Sequence, residues 1–301
     1  MREVEGKAIK DIVQYSLTAV LDLLIPRRCI VCERALVSSE KHLCRECLDD
    51  IPHTYFWLRK FNPMADKFNS LIQERMEEET LCAQSVSVDS MITDQGSQLT
   101  TVPKHRYAYA TALYFYRADS GYSHISRQLK YHSNIPAGKF FGQQLGARLA
   151  RAEHLADVDA VIPIPLHWTR KWSRGYNQAE VIAREVATAL GVDLRTDILE
   201  RCRRTRTQTK LSIEGKAANV KGAFRVREHI HQNIIPDLHG RQNPKTKKAD
   251  APAISDLRHL LIIDDIFTTG STALACYSAL RDTFPPSVRI SIATLGFVGE
   301  A

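Results

Sequence analysis

The stretch from Arg258 to Thr272, Arg-His-Leu-Leu-Ile-Ile-Asp-Asp-Ile-Phe-Thr-Thr-Gly-Ser-Thr, constrains this chain more than any other. It opens with an uninterrupted apolar run, Leu260 to Ile263. That run has the length and character of a strand buried on both faces of a parallel sheet. Asp264 and Asp265 follow, then Thr268, Thr269, Gly270, Ser271 and Thr272, and then a helical pattern through Ala273, Leu274, Tyr277 and Leu280. The order is strand, acidic pair, hydroxyl-rich turn, helix. A turn that feeds a helix points unpaired backbone N–H groups outward, where the helix dipole adds partial positive charge. Such a turn suits a phosphate, and the hydroxyls and Gly270 allow close approach. Two adjacent carboxylates suit vicinal hydroxyls. Together they describe a site for a ribose 5-phosphate. The competing structural reading, a strand ending in Asp-Asp and a Thr/Ser-capped helix, accounts for each residue singly but not for the ordered set.

The second constraint is Cys29-x-x-Cys32, eleven residues, then Cys44-x-x-Cys47. Two such knuckles make a four-thiolate tetrahedral site suited to Zn²⁺. Four thiolates leave no position open for water, so the expected role is structural. A module this small buries little core, so the metal would decide whether it folds. His42 and His53 are alternative ligands, and a thiol redox pair is the competing reading. There are seven cysteines, an odd number, and four of them sit in the two Cys-x-x-Cys pairs; in the reducing compartment expected for this chain that argues for metal, not disulfides.

Several basic segments surround the central motif in sequence. The strand-like Asp159–Pro165 leads into a loop, 166–177, carrying Arg170, Lys171, Arg174, Gly175, Tyr176 and Asn177. A basic loop after a parallel strand suits a second anionic group, such as pyrophosphate leaving from the ribose with Mg²⁺. Lys130 and Arg127 sit one helical turn apart on an expected helix from Ile125. The stretch 201–226 is rich in Arg and Lys, and reads equally as a flap over substrate, a nucleic-acid contact or a solvated face. The formal charge of +7 fits an anionic partner without identifying one.

Strands alternating with helices predict an α/β parallel sheet flanked by helices, with ligand at the carboxyl ends of the strands. The expected organisation is an N-terminal helix (8–25) and zinc-ribbon-like module over 1–53, and a helical and polar linking segment over 54–105, polar from Glu77 onward. A main domain over 106–301 follows, with a polar insertion at about 228–256. The polar, mixed-charge start and the shortness of Leu17–Ile25, which carries Asp22, predict a cytoplasmic protein with no membrane span.

The central stretch resembles the phosphoribosyl pyrophosphate (PRPP) motif of type I phosphoribosyltransferases. With the four cysteines, Leu129-Lys130-Tyr131, Pro163-Ile-Pro165, Arg174-Gly-Tyr-Asn-Gln178, Gln208-Thr-Lys-Leu211 and Asn219-Val-Lys-Gly-Ala-Phe224, the chain is similar to the ComF family of phosphoribosyltransferase-like proteins. The resemblance implies PRPP as ligand with Mg²⁺, Asp264 and Asp265 on the ribose hydroxyls, and Thr268–Thr272 around the 5-phosphate. It also implies an association with DNA uptake in natural transformation. From the residues, Arg174 and Lys130 are candidates to stabilise the leaving group. The other expectation is a non-catalytic accessory protein that binds single-stranded DNA or a helicase-like partner.

Overall fold

The computed structural model describes residues 26–87, 106–131, 134–203, 222–230 and 254–299. The expected helix 8–25 and most of the polar insertion lie outside them, as do Arg204 to Lys221 of the basic stretch.

The described chain is an α/β structure around a five-stranded parallel sheet. Its strands are β1 (Ala110–Phe115), β2 (Ala160–Pro163), β3 (Asp193–Leu194), β6 (His259–Phe267) and β7 (Arg289–Phe297), in the order β1-β7-β6-β2-β3. A separate antiparallel pair joins β4 (Leu199–Arg201) to β5 (Phe224–Val226). The helices are α1 (Arg45–Asp49), α2 (Pro63–Ser87), α3 (Ser123–Tyr131), α4 (Ile135–Leu149), α5 (Trp168–Arg174), α6 (Gln178–Leu190) and α7 (Ser271–Arg281).

Strand β6 explains the layering. Leu260 to Ile263 are all fully buried. Side chains alternate along a strand, so Leu260 and Ile262 enter one core with α2, α7 and the β4–β5 pair. Leu261 and Ile263 enter the other, with α3, α4, α6 and the cysteine module. Alternation carries through the next two residues, which puts Asp264 and Asp265 on opposite faces of the sheet.

The sheet's edge is covered by the segment that follows the cysteine module. Thr54 N–H donates to the Leu113 carbonyl (3.3 Å), Phe115 N–H to that of Pro52 (2.8 Å), and Asn62 Nδ2 to that of Ala110 (2.9 Å). These bonds occupy the open side of β1, the feature that otherwise invites strand addition. The module itself packs into the body: Cys29, Ile30, Leu43 and Cys44 share a core with Leu113, Ile125 and Leu129. Tyr122 Oη donates to the Cys47 carbonyl (3.0 Å).

Three expectations are corrected. The polar stretch beginning at Glu77 is helical as far as Ser87. Arg75 pairs with Glu79 (2.6 Å) and Glu78 (3.8 Å), and Gln73 with Glu77 (2.9 Å), so this composition belongs to a solvated helix. The basic loop 166–177 contains the helix Trp168–Arg174, which stops where Gly175 turns left-handed (φ 78°). The central strand does not end at its carboxylates. It runs on to Phe267 because Ile266 and Phe267 continue the ladder against Gly296 and Phe297.

Candidate functional site

The chain leaves β2 for β3 on one side, through α6, and later returns to β6 on the other, which leads through α7 to β7. The strand order therefore switches between β2 and β6, and the crevice beyond their carboxyl ends is where ligands bind in open parallel sheets. A cavity of about 340 Å³ lies there. The residues lining it include Lys130, Arg174, Asp264, Asp265, Thr268, Gly270 and Thr272. Seven of the nine residues singled out for the ribose-phosphate site thus face one space. Thr269 and Ser271 bond each other beside it (Oγ1···Oγ 2.9 Å).

The turn that ends β6 is shaped by its glycine. Gly270 has φ 83°, a conformation that side chains resist. A Cβ there would come within 2.5 Å of Leu71 Cδ1 and 2.8 Å of Phe267 Cζ. Gly270 brings no capping side chain to α7; Ser271 N–H meets Thr269 Oγ1 (3.5 Å), and Gly270 and Thr272 line the cavity. Lys67, from α2, fixes the turn from behind by donating to the Thr268 carbonyl (2.9 Å). The sequence offered no signal for Lys67, because 201 positions separate the two residues.

The acidic pair is not symmetric. Asp265, buried, accepts from Lys130 Nζ (2.6 Å) and Ser126 Oγ (3.1 Å), both on α3. Burial works against the Lys130 charge, but the Asp265 carboxylate, with Asp264 beyond it, holds its pKa above the ordinary lysine value. Asp264 accepts from the Asp265 backbone N–H (2.9 Å). Burial, and then the neighbouring Asp265 charge, push Asp264 up to about 7. Lys130 is therefore engaged with Asp265, where a leaving-group role would need it turned toward ligand.

On the β2 side, Asn177 ties the start of α6 to the strand. Its Nδ2 donates to the Ile164 carbonyl (3.1 Å) and its Oδ1 accepts from Ala179 N–H (3.2 Å). Arg174 lies over the Tyr131 ring at 5.7 Å and donates to Gln178 Oε1 (3.2 Å). Arg201, at the end of β4, also lines the cavity, its guanidinium stacked on Phe224 at 5.0 Å. Sequence reading placed Arg201 only within a basic stretch. Its strand neighbour Glu200 pairs with Arg225 (2.6 Å) and Arg227 (3.8 Å), so part of that stretch's charge is internally neutralised.

The four cysteines meet. Cys29, Cys32, Cys44 and Cys47 hold their sulfurs within 4.8 Å of one another, and Cys32 and Cys44 lie 3.7 Å apart. Four thiolates about 2.3 Å from a tetrahedral zinc are separated by about 3.8 Å, so the donor set fits Zn²⁺. Cys44 N–H points at Cys29 Sγ and Cys47 N–H at Cys44 Sγ (both 3.4 Å), as sulfurs carrying negative charge favour. The first knuckle closes through Glu33 in the left-handed region, with its N–H on the Cys29 carbonyl (2.9 Å). Neither histidine joins them. His53 Nδ1 meets the Leu113 carbonyl (3.0 Å) and its Nε2 faces Arg148 (3.1 Å), while His42 packs on Phe140.

The family described as "Double zinc ribbon domain" matches residues 20–55. The chain is 30% identical over 138 residues to Competence protein F of Haemophilus influenzae, covering 46% of this chain and 51% of that protein. It is 30% identical over 122 residues to DNA utilization protein YhgH of Salmonella typhimurium, covering 40% and 43%. The corresponding Escherichia coli K12 protein is 28% identical over 114 residues, covering 38% and 39%. The chain thus spans about half, or less, of the length of these curated relatives. Among the described residues no helix is long and apolar enough to cross a membrane. The chain thus combines a parallel α/β sheet with a four-cysteine zinc ribbon, and over part of its length it is similar to Competence protein F and to the YhgH proteins.

Proposed function

We propose that the cavity between β2 and β6 binds PRPP, with Mg²⁺ brought in on its pyrophosphate, and that the protein is of the phosphoribosyltransferase type. The observation that carries this reading is the meeting, in one cavity at the strand-order switch, of the start of α7 and the acidic pair of β6. In this reading the N–H groups after Gly270 and the hydroxyls of Thr268, Thr269, Ser271 and Thr272 grip the 5-phosphate. Asp264 and Asp265 accept from the ribose 2′- and 3′-hydroxyls, with Lys130 Nζ holding the Asp265 carboxylate in place (2.6 Å). Arg174 faces the pyrophosphate. With Asp265 paired to Lys130, the acidic pair supplies one carboxylate outside a salt bridge, too little for an all-protein magnesium site. It suits an ion held largely by substrate phosphates and water. Mg²⁺ would neutralise charge on the leaving pyrophosphate. An active protein of this design is a glycosyltransferase that breaks the bond at ribose C1, stabilised mainly at the leaving group.

The relatives' names, competence and DNA utilization, support a role linked to DNA uptake, with DNA-uptake proteins as partners. They also support a second reading, in which the fold serves as an accessory that binds single-stranded DNA or a helicase-like partner. Calorimetric titration with PRPP and Mg²⁺ tests the first. Binding that disappears in D264N/D265N supports it, and no heat from the zinc-loaded parent moves the conclusion to the second. For that reading, R203A should lower single-stranded DNA affinity and its salt slope, since each phosphate contact releases counterions.

A further inference from the structure

Gln178 stands apart among the polar residues of the cavity. It is 4% exposed, it opens α6, and its Nε2 is a buried donor with no hydrogen-bond partner among the described residues. Nearly every buried polar group in a folded protein is satisfied, and one left open is destabilising. The orientation of the amide is not arbitrary. Arg174 Nη1 lies 3.2 Å from one of its two polar atoms, and a guanidinium only donates, so that atom is Oε1. The NH₂ group is thereby turned away from Arg174. Tyr176 lies close enough for the amide to work against burial on its phenol, but its hydroxyl donates to the Leu129 carbonyl and falls short of a hydrogen bond with Nε2.

The surroundings identify the missing partner as an acceptor, and an anionic one. Arg174, which carries only donors, lines the same cavity and sits on the amide itself, while the charge of Lys130 is spent on Asp265. The dipole of α6, a helix of 13 residues, adds positive potential at Gln178. The 5-phosphate subsite at Gly270–Thr272 lies on the other strand, β6, with the acidic pair ahead of it. In the proposed reading the two ends of a doubly phosphorylated ribose face the two helix starts, and at α6, where Asn177 already takes the Ala179 N–H, the open donor is the Gln178 amide.

We infer that Gln178 Nε2 donates to a non-bridging oxygen of the pyrophosphate group and that this bond, with Arg174 held by the same amide, distinguishes PRPP from ribose 5-phosphate. The inference rests on the reading of the cavity as a PRPP site and deepens it. Gln178 binds substrate in this scheme and also positions Arg174.

The test uses the full zinc-loaded chain, titrated separately with PRPP–Mg²⁺, with ribose 5-phosphate and with pyrophosphate–Mg²⁺. Q178L keeps the volume and removes the donor. Q178E puts an acceptor in its place. Loss of one hydrogen bond to a charged acceptor should weaken PRPP and pyrophosphate about tenfold or more in Q178L, and further in Q178E. Ribose 5-phosphate affinity should stay within about twofold of the parent. Equal weakening of all three ligands, or none, overturns the inference, because a merely structural amide would not separate them. Circular dichroism and melting show whether each variant is folded, and either variant alone suffices. Should the parent bind pyrophosphate and not PRPP, the PRPP reading fails while the pyrophosphate arm still decides the role of Gln178. A parent that binds none of the three refutes both.

Discussion

Replacing Lys130 with Met should destabilise the protein even where no ligand is present. Lys130 Nζ sits 2.6 Å from Asp265 Oδ2, and the carboxylate is buried at 8% exposure. Removing one partner of a buried pair leaves the other charge uncompensated, which costs roughly 3–5 kcal/mol. The lysine side chain keeps 28% of its exposure, and solvent screening puts this pair at the lower end, about 3 kcal/mol. The Ser126 hydroxyl, 3.1 Å away, holds the carboxylate but carries no charge to balance it. For a chain of this size about 3 kcal/mol is a fall in Tm of about 5 °C. The sign with pH follows from the raised pKa of Lys130. Its contribution is complete below the ordinary value of 10.5 and is lost only as pH rises through the folded value above it, so measurements at pH 7 see all of it. Lys130→Met with Asp265→Asn removes the stranded charge as well and should recover most of the loss, a coupling of about 2 kcal/mol. Thermal melts of the four proteins close the cycle. A single variant within about 0.5 kcal/mol of the parent, or a double variant whose loss is the sum of the singles, refutes the argument.

Gly270→Ala should cost about 2–3 kcal/mol through left-handed strain and the collision with Leu71 and Phe267, and should abolish phosphate binding. Melting and titration measure both effects; a stable variant of normal affinity contradicts the described turn. Chelation should remove one zinc per chain, read by metal analysis, and lower the melting temperature of the whole chain, because Cys29 and Cys44 share a core with Leu113 and Leu129. An unchanged melt would separate the ribbon from that core. Asp264, raised to about 7, binds more protons folded than unfolded between its ordinary 3.8 and that value, so its contribution to stability declines as pH rises through this window. Comparing melts of the parent with D264N across pH 4–8 isolates it: the parent should lose stability relative to the variant as pH rises, and parallel curves would contradict the shift.

The sheet was legible because burial on both faces writes itself as an unbroken apolar run, as at Leu260–Ile263. The cysteine ribbon was legible because ligand spacing is local. So was the turn at Thr268–Thr272, whose chemistry lies within a few residues. What escaped depends on contacts between distant segments. Nothing near Lys67 announces its bond to Thr268, and nothing near Lys130 announces that its charge is taken up by Asp265. Arg201 read as one arginine among many until pairing with β5 brought it to the cavity. The helix over Glu77–Ser87 was hidden for another reason. Its polar face looks like a linker until the ion pairs from Arg75 are seen. The opposite facing of Asp264 and Asp265 follows from strand alternation once the strand is known to continue to Phe267.

The most direct test of the proposed site is the crystal structure of the protein soaked with PRPP and Mg²⁺. The account predicts the 5-phosphate on the N–H groups after Gly270, the ribose hydroxyls on Asp264 and Asp265, and pyrophosphate beside Arg174. A phosphate bound elsewhere, or a ribose turned away from the acidic pair, would contradict it.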